Sequence, residues 1–158
     1  MQYARISLKS FISKPYDFDP KTLGDHVLKR RLFLKLSQPQ LAKLLGVAPE
    51  TILNWELNYR KPSINHIGKL IQFLGYDPAL SNPSSIADLL LAKRRELGWT
   101  QKVAAQNLGI DPCTWSSWEC GGTIMVREHR LLVASFLGMA EEIINKTMRK
   151  QWNERHKG

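Results

Sequence analysis

The second half of the chain repeats the first at an offset of 63 positions. At that offset Trp55-Glu56 falls on Trp118-Glu119, and no gap is needed. Asp25 falls on Asp88, Leu28 on Leu91, Arg31 on Arg94 and Leu34 on Leu97. Gln38 meets Gln101, Ala42 meets Ala105, Leu45-Gly46 meets Leu108-Gly109, and Phe73-Leu74-Gly75 meets Phe136-Leu137-Gly138. Agreement sustained over roughly fifty positions is an internal repeat, so each copy must be a small folding unit. Between the copies, YDPALSNPSS from Tyr76 is rich in Pro, Ser and Asn and reads as a linker. The expected organisation is an N-terminal extension 1–21, domain 1 at 22–76, a linker 77–84, domain 2 at 85–140 and a basic helix or tail at 141–158.

Each copy reads as four to five short helices. Leu23, Val27, Arg31 and Leu34 recur at helical spacing, as do Ile86, Leu90, Arg94 and Leu97. Ser37 and Thr100 are good N-caps for second helices that bury Leu41, Ala42 and Leu45, or Ala104, Ala105 and Leu108. Gly46 and Gly109 stand where a helix ends in a left-handed turn. Pro49 and Pro112 suit the first turn of third helices near 49–56 and 112–119, which turn Ile52 and Trp55, or Trp115 and Trp118, inward. A fourth helix runs through Ile64, Ile67, Ile71 and Leu74, matched less cleanly by Leu131, Ala134 and Leu137. No segment keeps the alternation of a strand, so the expected fold is all-α.

A net charge of +9 points to a polyanionic partner, nucleic acid being the commonest. Two cysteines, Cys113 and Cys120, make no disulfide framework, and four histidines make a metal cage improbable. Cofactors and metals are therefore expected to be none. No apolar run of about 18 residues is present, and the N-terminus lacks a continuous apolar segment, so a cytoplasmic protein is expected. No Ser/Lys, Cys/His or paired-carboxylate constellation suggests an enzyme.

The segment LSQPQLAKLLGVAPETILNWE closely resembles the helix-turn-helix of the lambda-repressor-like family, also called the Cro or XRE type. WTQKVAAQNLGIDPCTWSSWE resembles it again, more loosely. The resemblance implies two tandem helix-turn-helix domains covering most of the chain. It implies that Glu56 and Glu119, ending the third helices, are tethered by Arg31 and Arg94, while Trp55 and Trp118 are core. It further implies that Gln38 contacts phosphate and braces the reading helix, and that Pro49, Glu50, Thr51 and Asn54 face the major groove. Asn pairs bidentately with adenine, and Glu accepts from cytosine. Gln101, Cys113, Thr114 and Ser117 are the matching positions of the second copy. The competing reading for each is an ordinary solvated helix face.

Arg60 and Lys61 follow the first reading helix, where cations fix docking on phosphates. Thr123 and Ile124 replace them in the second copy. Eight basic and three acidic residues in 22–76 compare with six and five in 85–140. The expected function is a sequence-specific, double-stranded DNA-binding transcriptional regulator acting by promoter occupancy, with domain 1 as main reader. The alternative is a protein-interaction module, antitoxin-like, with a degenerate second copy. A homodimer, a pseudo-dimer within one chain, and a protein partner on domain 2 or the C-terminal helix all stay open. The stripe Ile144, Met148, Trp152 in that last helix either caps domain 2 or joins two chains; capping is favoured. The head carries Lys9 and Lys14 and reads as an arm or, preferably, an extension packed on domain 1.

Overall fold

The computed structural model describes residues 17–80, 82–121 and 125–155. Lys9, Lys14, Thr123 and Ile124 lie outside them. Every regular element among the described residues is an α-helix: α1 (Leu23–Phe33), α2 (Gln38–Leu45), α3 (Pro49–Glu56), α4 (Ile64–Leu74), α5 (Ile86–Glu96), α6 (Gln101–Leu108), α7 (Pro112–Glu119), α8 (Arg127–Leu137) and α9 (Glu141–Arg155). The fold is all-α, and both third helices have the bounds expected from sequence.

Two compact units divide the chain, 1–60 and 61–158. In the first, α3 packs against α1 and α2. Val27, Leu41, Ala42, Leu45, Ile52 and Trp55 are buried. Gly24 sets how closely α1 meets α3: a Cβ there would lie 2.0 Å from the carbonyl oxygen of Trp55. Ahead of α1, Lys29 donates to the carbonyl of Phe18 at 2.7 Å and its ammonium sits over the Phe18 ring, so the end of the extension is packed on α1.

In the second unit α5 is central and packs against α4, α7, α8 and α9. The core is Ile86, Leu90, Ala104, Ala105, Trp115, Trp118, Met125, Val133, Ala134 and Ile144. Helix α4 falls in this unit, whereas the sequence groups its segment with the first repeat. The reason lies at Gly68, where a Cβ would meet Gly98 N at 2.8 Å and Glu96 O at 2.9 Å. Asp77 then clamps Arg95 through two bonds, Nε to Oδ2 at 2.5 Å and Nη2 to Oδ1 at 3.0 Å. The Pro- and Ser-rich stretch after α4 is therefore anchored on α5 at its start.

The inward face of α8 differs from the expected one. Val133 and Ala134 are buried and Leu137 packs partly on the core, but Leu131 is 46% exposed. Leu131 corresponds to Gly68, the residue by which α4 meets α5. Among the described residues the helix that follows α8 is α9, which packs on α8 and α5 and leaves Leu131 exposed. Helix α9 caps the unit instead. Ile144 is fully buried and Met148 packs on the core, while Trp152 stays 53% exposed.

The repeat is visible in backbone detail. Thr22 with Asp25 and Ser85 with Asp88 form capping boxes that open α1 and α5. Left-handed residues recur in register: Lys35 with Gly98, Gly46 with Gly109, Asn58 with Gly121 and Gly75 with Gly138. Only glycine adopts this conformation without steric cost, so Lys35 and Asn58 hide two turns that Gly98 and Gly121 announce.

Candidate nucleic-acid interface

Helix α2 begins with a capping box. The Ser37 hydroxyl accepts from Gln40 N, and the Gln40 side chain accepts from Ser37 N at 2.7 Å. It ends at Gly46, whose φ of 70° turns the chain so that Val47 N donates back to Ala42 O at 3.0 Å. Two residues later Pro49 opens α3, where its missing N–H costs no helical bond. Leu41, Ala42 and Leu45 on one helix and Ile52 and Trp55 on the other are buried, which fixes the angle of the α2–turn–α3 unit.

The end of α3 is held by a buried polar cluster. Arg31 grips Glu56 with Nε to Oε1 at 2.5 Å and Nη2 to Oε2 at 2.8 Å. Its remaining terminal nitrogen donates to Leu36 O at 2.9 Å, which ties in the turn after α1. Gln38 completes the cluster, donating Nε2 to Glu56 Oε2 at 2.8 Å. A bidentate guanidinium–carboxylate pair fixes orientation as well as distance. Helix α3 is thus pinned from its inner side by α1 and α2.

Its outer side is open. Pro49, Glu50 and Leu53 are exposed, and Thr51 and Asn54 are half-buried. Positions 50, 53, 54 and 57 share one face by helical spacing. Leu53, 41% exposed, stands on that face between Glu50 and Leu57. Reading for polar side chains missed it; helical spacing counted from Glu50 would have found it. The loop that follows is also fixed, since the Asn54 carbonyl accepts from Tyr59 N at 2.9 Å and from Arg60 N at 3.3 Å. Arg60 and Lys61, next to each other in the chain, are both exposed.

The second copy repeats the cluster 63 residues on. Arg94 bonds Glu119 at 2.5 and 2.9 Å, and its third nitrogen donates to Trp99 O at 2.8 Å. Gln101 Nε2 donates to Glu119 Oε2 at 2.8 Å. One bond is new: Trp115 Nε1 donates to Glu119 Oε1 at 2.8 Å, where the first copy has Ile52. Burial pushes the Glu119 carboxyl up, but the bonds from Arg94, Gln101 and Trp115 and the Arg94 charge outweigh it. The net effect holds Glu119 below the usual carboxylate range.

The outer face of α7 is chemically poorer. Cys113 is exposed, and Thr114 and Ser117 are half-buried. By the same spacing Cys113, Ser116, Ser117 and Cys120 line this face. The amino end differs as well. Asp111 caps α7 by accepting from Cys113 N at 2.7 Å, whereas Ala48 gives α3 no side-chain cap. An exposed carboxylate therefore stands where α3 presents bare backbone.

A family model described as helix-turn-helix matches residues 28–80. The match runs from within α1 through α4 and contains the Arg31, Gln38 and Glu56 cluster, the outer face of α3 and the Arg60-Lys61 loop. This helix-turn-helix, of the Cro/XRE type, supports double-stranded DNA binding and a regulatory kind of function, one that is generally non-enzymatic. No curated protein and no solved structure matches the chain. Among the described residues no helix is long and apolar enough to cross a membrane. No group of three or more His, Cys, Asp or Glu among them is arranged to hold a metal ion.

Proposed function

We propose that the chain is a sequence-specific, double-stranded DNA-binding transcriptional regulator that acts by occupying promoter DNA. It carries two tandem helix-turn-helix domains, 22–76 and 85–140, and the first is the main reader. The observation that carries this reading is the posture of α3. It is pinned inwardly through Glu56 by Arg31 and Gln38, while Pro49, Glu50 and Leu53 face outward and Arg60 and Lys61 follow.

An α-helix with its side chains is about 10–12 Å across, which suits a groove about 12 Å wide. Asn54 pairs with adenine, Leu53 meets a thymine methyl, and Glu50 accepts from cytosine. Gln38 still has an N–H for a phosphate beyond the one given to Glu56. Arg60 and Lys61 neutralise backbone charge and set the register.

A second reading is favoured by one observation on the other copy. The Asp111 carboxylate at the start of α7 repels phosphate, and residues 85–140 are nearly balanced in charge. On that reading domain 2 is a protein-interaction module. Selection of bound duplexes from a random pool by the full chain tests the proposal. An enriched motif that fits the α3 face is expected. A folded chain that enriches nothing at low salt contradicts it.

A further inference from the structure

The second unit uses up many of its cations internally. Lys93 pairs with Glu96, Arg94 with Glu119 and Arg95 with Asp77, and Arg130 donates to Met125 O. Helix α9 is different. Its inner face is spent on packing, with Ile144 fully buried and Met148 on the core, so the helix is held at a fixed rotation. Lys146, Arg149 and Lys150 are at i, i+3 and i+4, and Lys146, Arg149 and Lys150 are all exposed. Among the described residues neither Lys146 nor Arg149 has an ion-pair partner. Two of the helix's three acids, Glu141 and Glu142, stand in its first turn, where they complement the helix dipole. From residue 145 onward the sequence has five basic residues against one acidic.

We infer that α9 is a second nucleic-acid contact surface, on which Lys146, Arg149 and Lys150 grip the phosphate backbone of duplex DNA. The second unit then holds DNA by charge through α9, without base recognition by α7. This rests on the reading of the chain as a duplex binder. Three cations within about 6 Å of helix axis face a polyanion that carries one charge per about 1.7 Å. The helix is already docked by Ile144 and Met148, so little backbone order remains to be imposed on binding. An anionic membrane offers charge too, but the helix-turn-helix at 28–80 makes duplex DNA the partner in hand.

The test uses the full chain and a short mixed-sequence duplex, with affinity followed across a salt series. The K146Q/R149Q/K150Q variant keeps helix-forming residues on an exposed face. Its plot of log affinity against log salt should be shallower than wild type by roughly two to three units. Its preference for a selected duplex over a scrambled one should be unchanged. K146Q and R149Q alone should each flatten the slope by about one unit, which guards against a misfolded triple variant. The charge-preserving K146R/R149K/K150R variant should keep the wild-type slope. A wild-type slope in K146Q/R149Q/K150Q overturns the α9 inference alone. So does loss of binding to phosphatidylserine vesicles with the duplex slope intact, which makes the face a membrane contact. If wild type binds no duplex at any salt, the reading of the chain as a duplex binder falls with it.

Discussion

Glu56 and Glu119 are buried carboxylates whose position fixes everything outward of them. Glu56 accepts from two Arg31 nitrogens and from Gln38, so α3 cannot rotate without breaking all three bonds. Replacing Arg31 by Met leaves a buried charge without its counter-ion, at a cost of about 3–5 kcal/mol. Urea unfolding of Arg31→Met measures this, and a cost below about 1 kcal/mol would mean that the pair is not buried in solution. Acid sensitivity follows from three carboxyls. Glu119 is held below its ordinary value of 4.5 for the reasons given above. Asp88 is held below 3.8 chiefly by the Ser85 hydroxyl, against its burial. Asp25 is held below 3.8 because bonds from Thr22 and Lys21 outweigh the effect of burial. A carboxyl depressed by folding contributes stability above its unfolded pKa and loses it as pH falls through the folded pKa. Stability should therefore decline as pH falls below about 5, after an earlier loss that begins below about 6.5 from His26, which burial holds below its ordinary value of 6.5. Glu119→Gln should show a weaker decline; a decline equal to wild type would remove Glu119 from the account.

At the scale of the helix pair, two close approaches and one strained turn are open to test. Gly24→Ala puts a methyl 2.0 Å from the Trp55 carbonyl oxygen, and Gly68→Ala puts one 2.8 Å from Gly98 N. Both neighbours are backbone and cannot swing aside, so each change should cost about 1–3 kcal/mol in thermal or urea melts. Lys35 sits at φ 56°, where its counterpart is Gly98, so Lys35→Gly should gain about 1 kcal/mol. A loss there would show that the Lys35 side chain contributes more than its backbone strain costs. Much at this scale was legible in sequence, because caps, prolines and turn glycines act locally. Ser37, Gly46 and Pro49 bound α2 and α3 with no help from the rest of the chain. Illegible were contacts that depend on what comes next in space. Gly68 reads as a weak spot in an amphipathic helix until α5 is seen against it. Its counterpart Leu131 reads as core and is exposed, because α9 packs through Ile144 and Met148 instead. The turns at Lys35 and Asn58 were hidden by residue type, though Gly98 and Gly121 mark the same positions.

Across the whole molecule, the repeat at 63 positions fixes a shared scaffold and leaves the outward faces to diverge. The polar cluster, the capping boxes of α1 and α5 and the left-handed turns recur, whereas Pro49, Glu50, Leu53 and Asn54 become Pro112, Cys113, Ser116 and Ser117. The scaffold was readable because packing repeats residue types at fixed intervals. The site was readable only in part: helical spacing puts Leu53 on the Glu50 face, but a reading for polar side chains passes over an apolar residue whose exposure the structure shows. Lys61→Ala should weaken binding to all duplexes alike and flatten the salt slope by about one unit. That behaviour marks a phosphate contact and separates it from a reading residue. The central claim is that the first copy reads sequence, and titration of Asn54→Ala and Ser117→Ala against selected and scrambled duplexes tests it most directly. Asn54→Ala should lose about 1–3 kcal/mol on the selected duplex and relax preference at one base position, with Ser117→Ala close to wild type. A larger loss of preference in Ser117→Ala than in Asn54→Ala would contradict the account and make the second copy the reader.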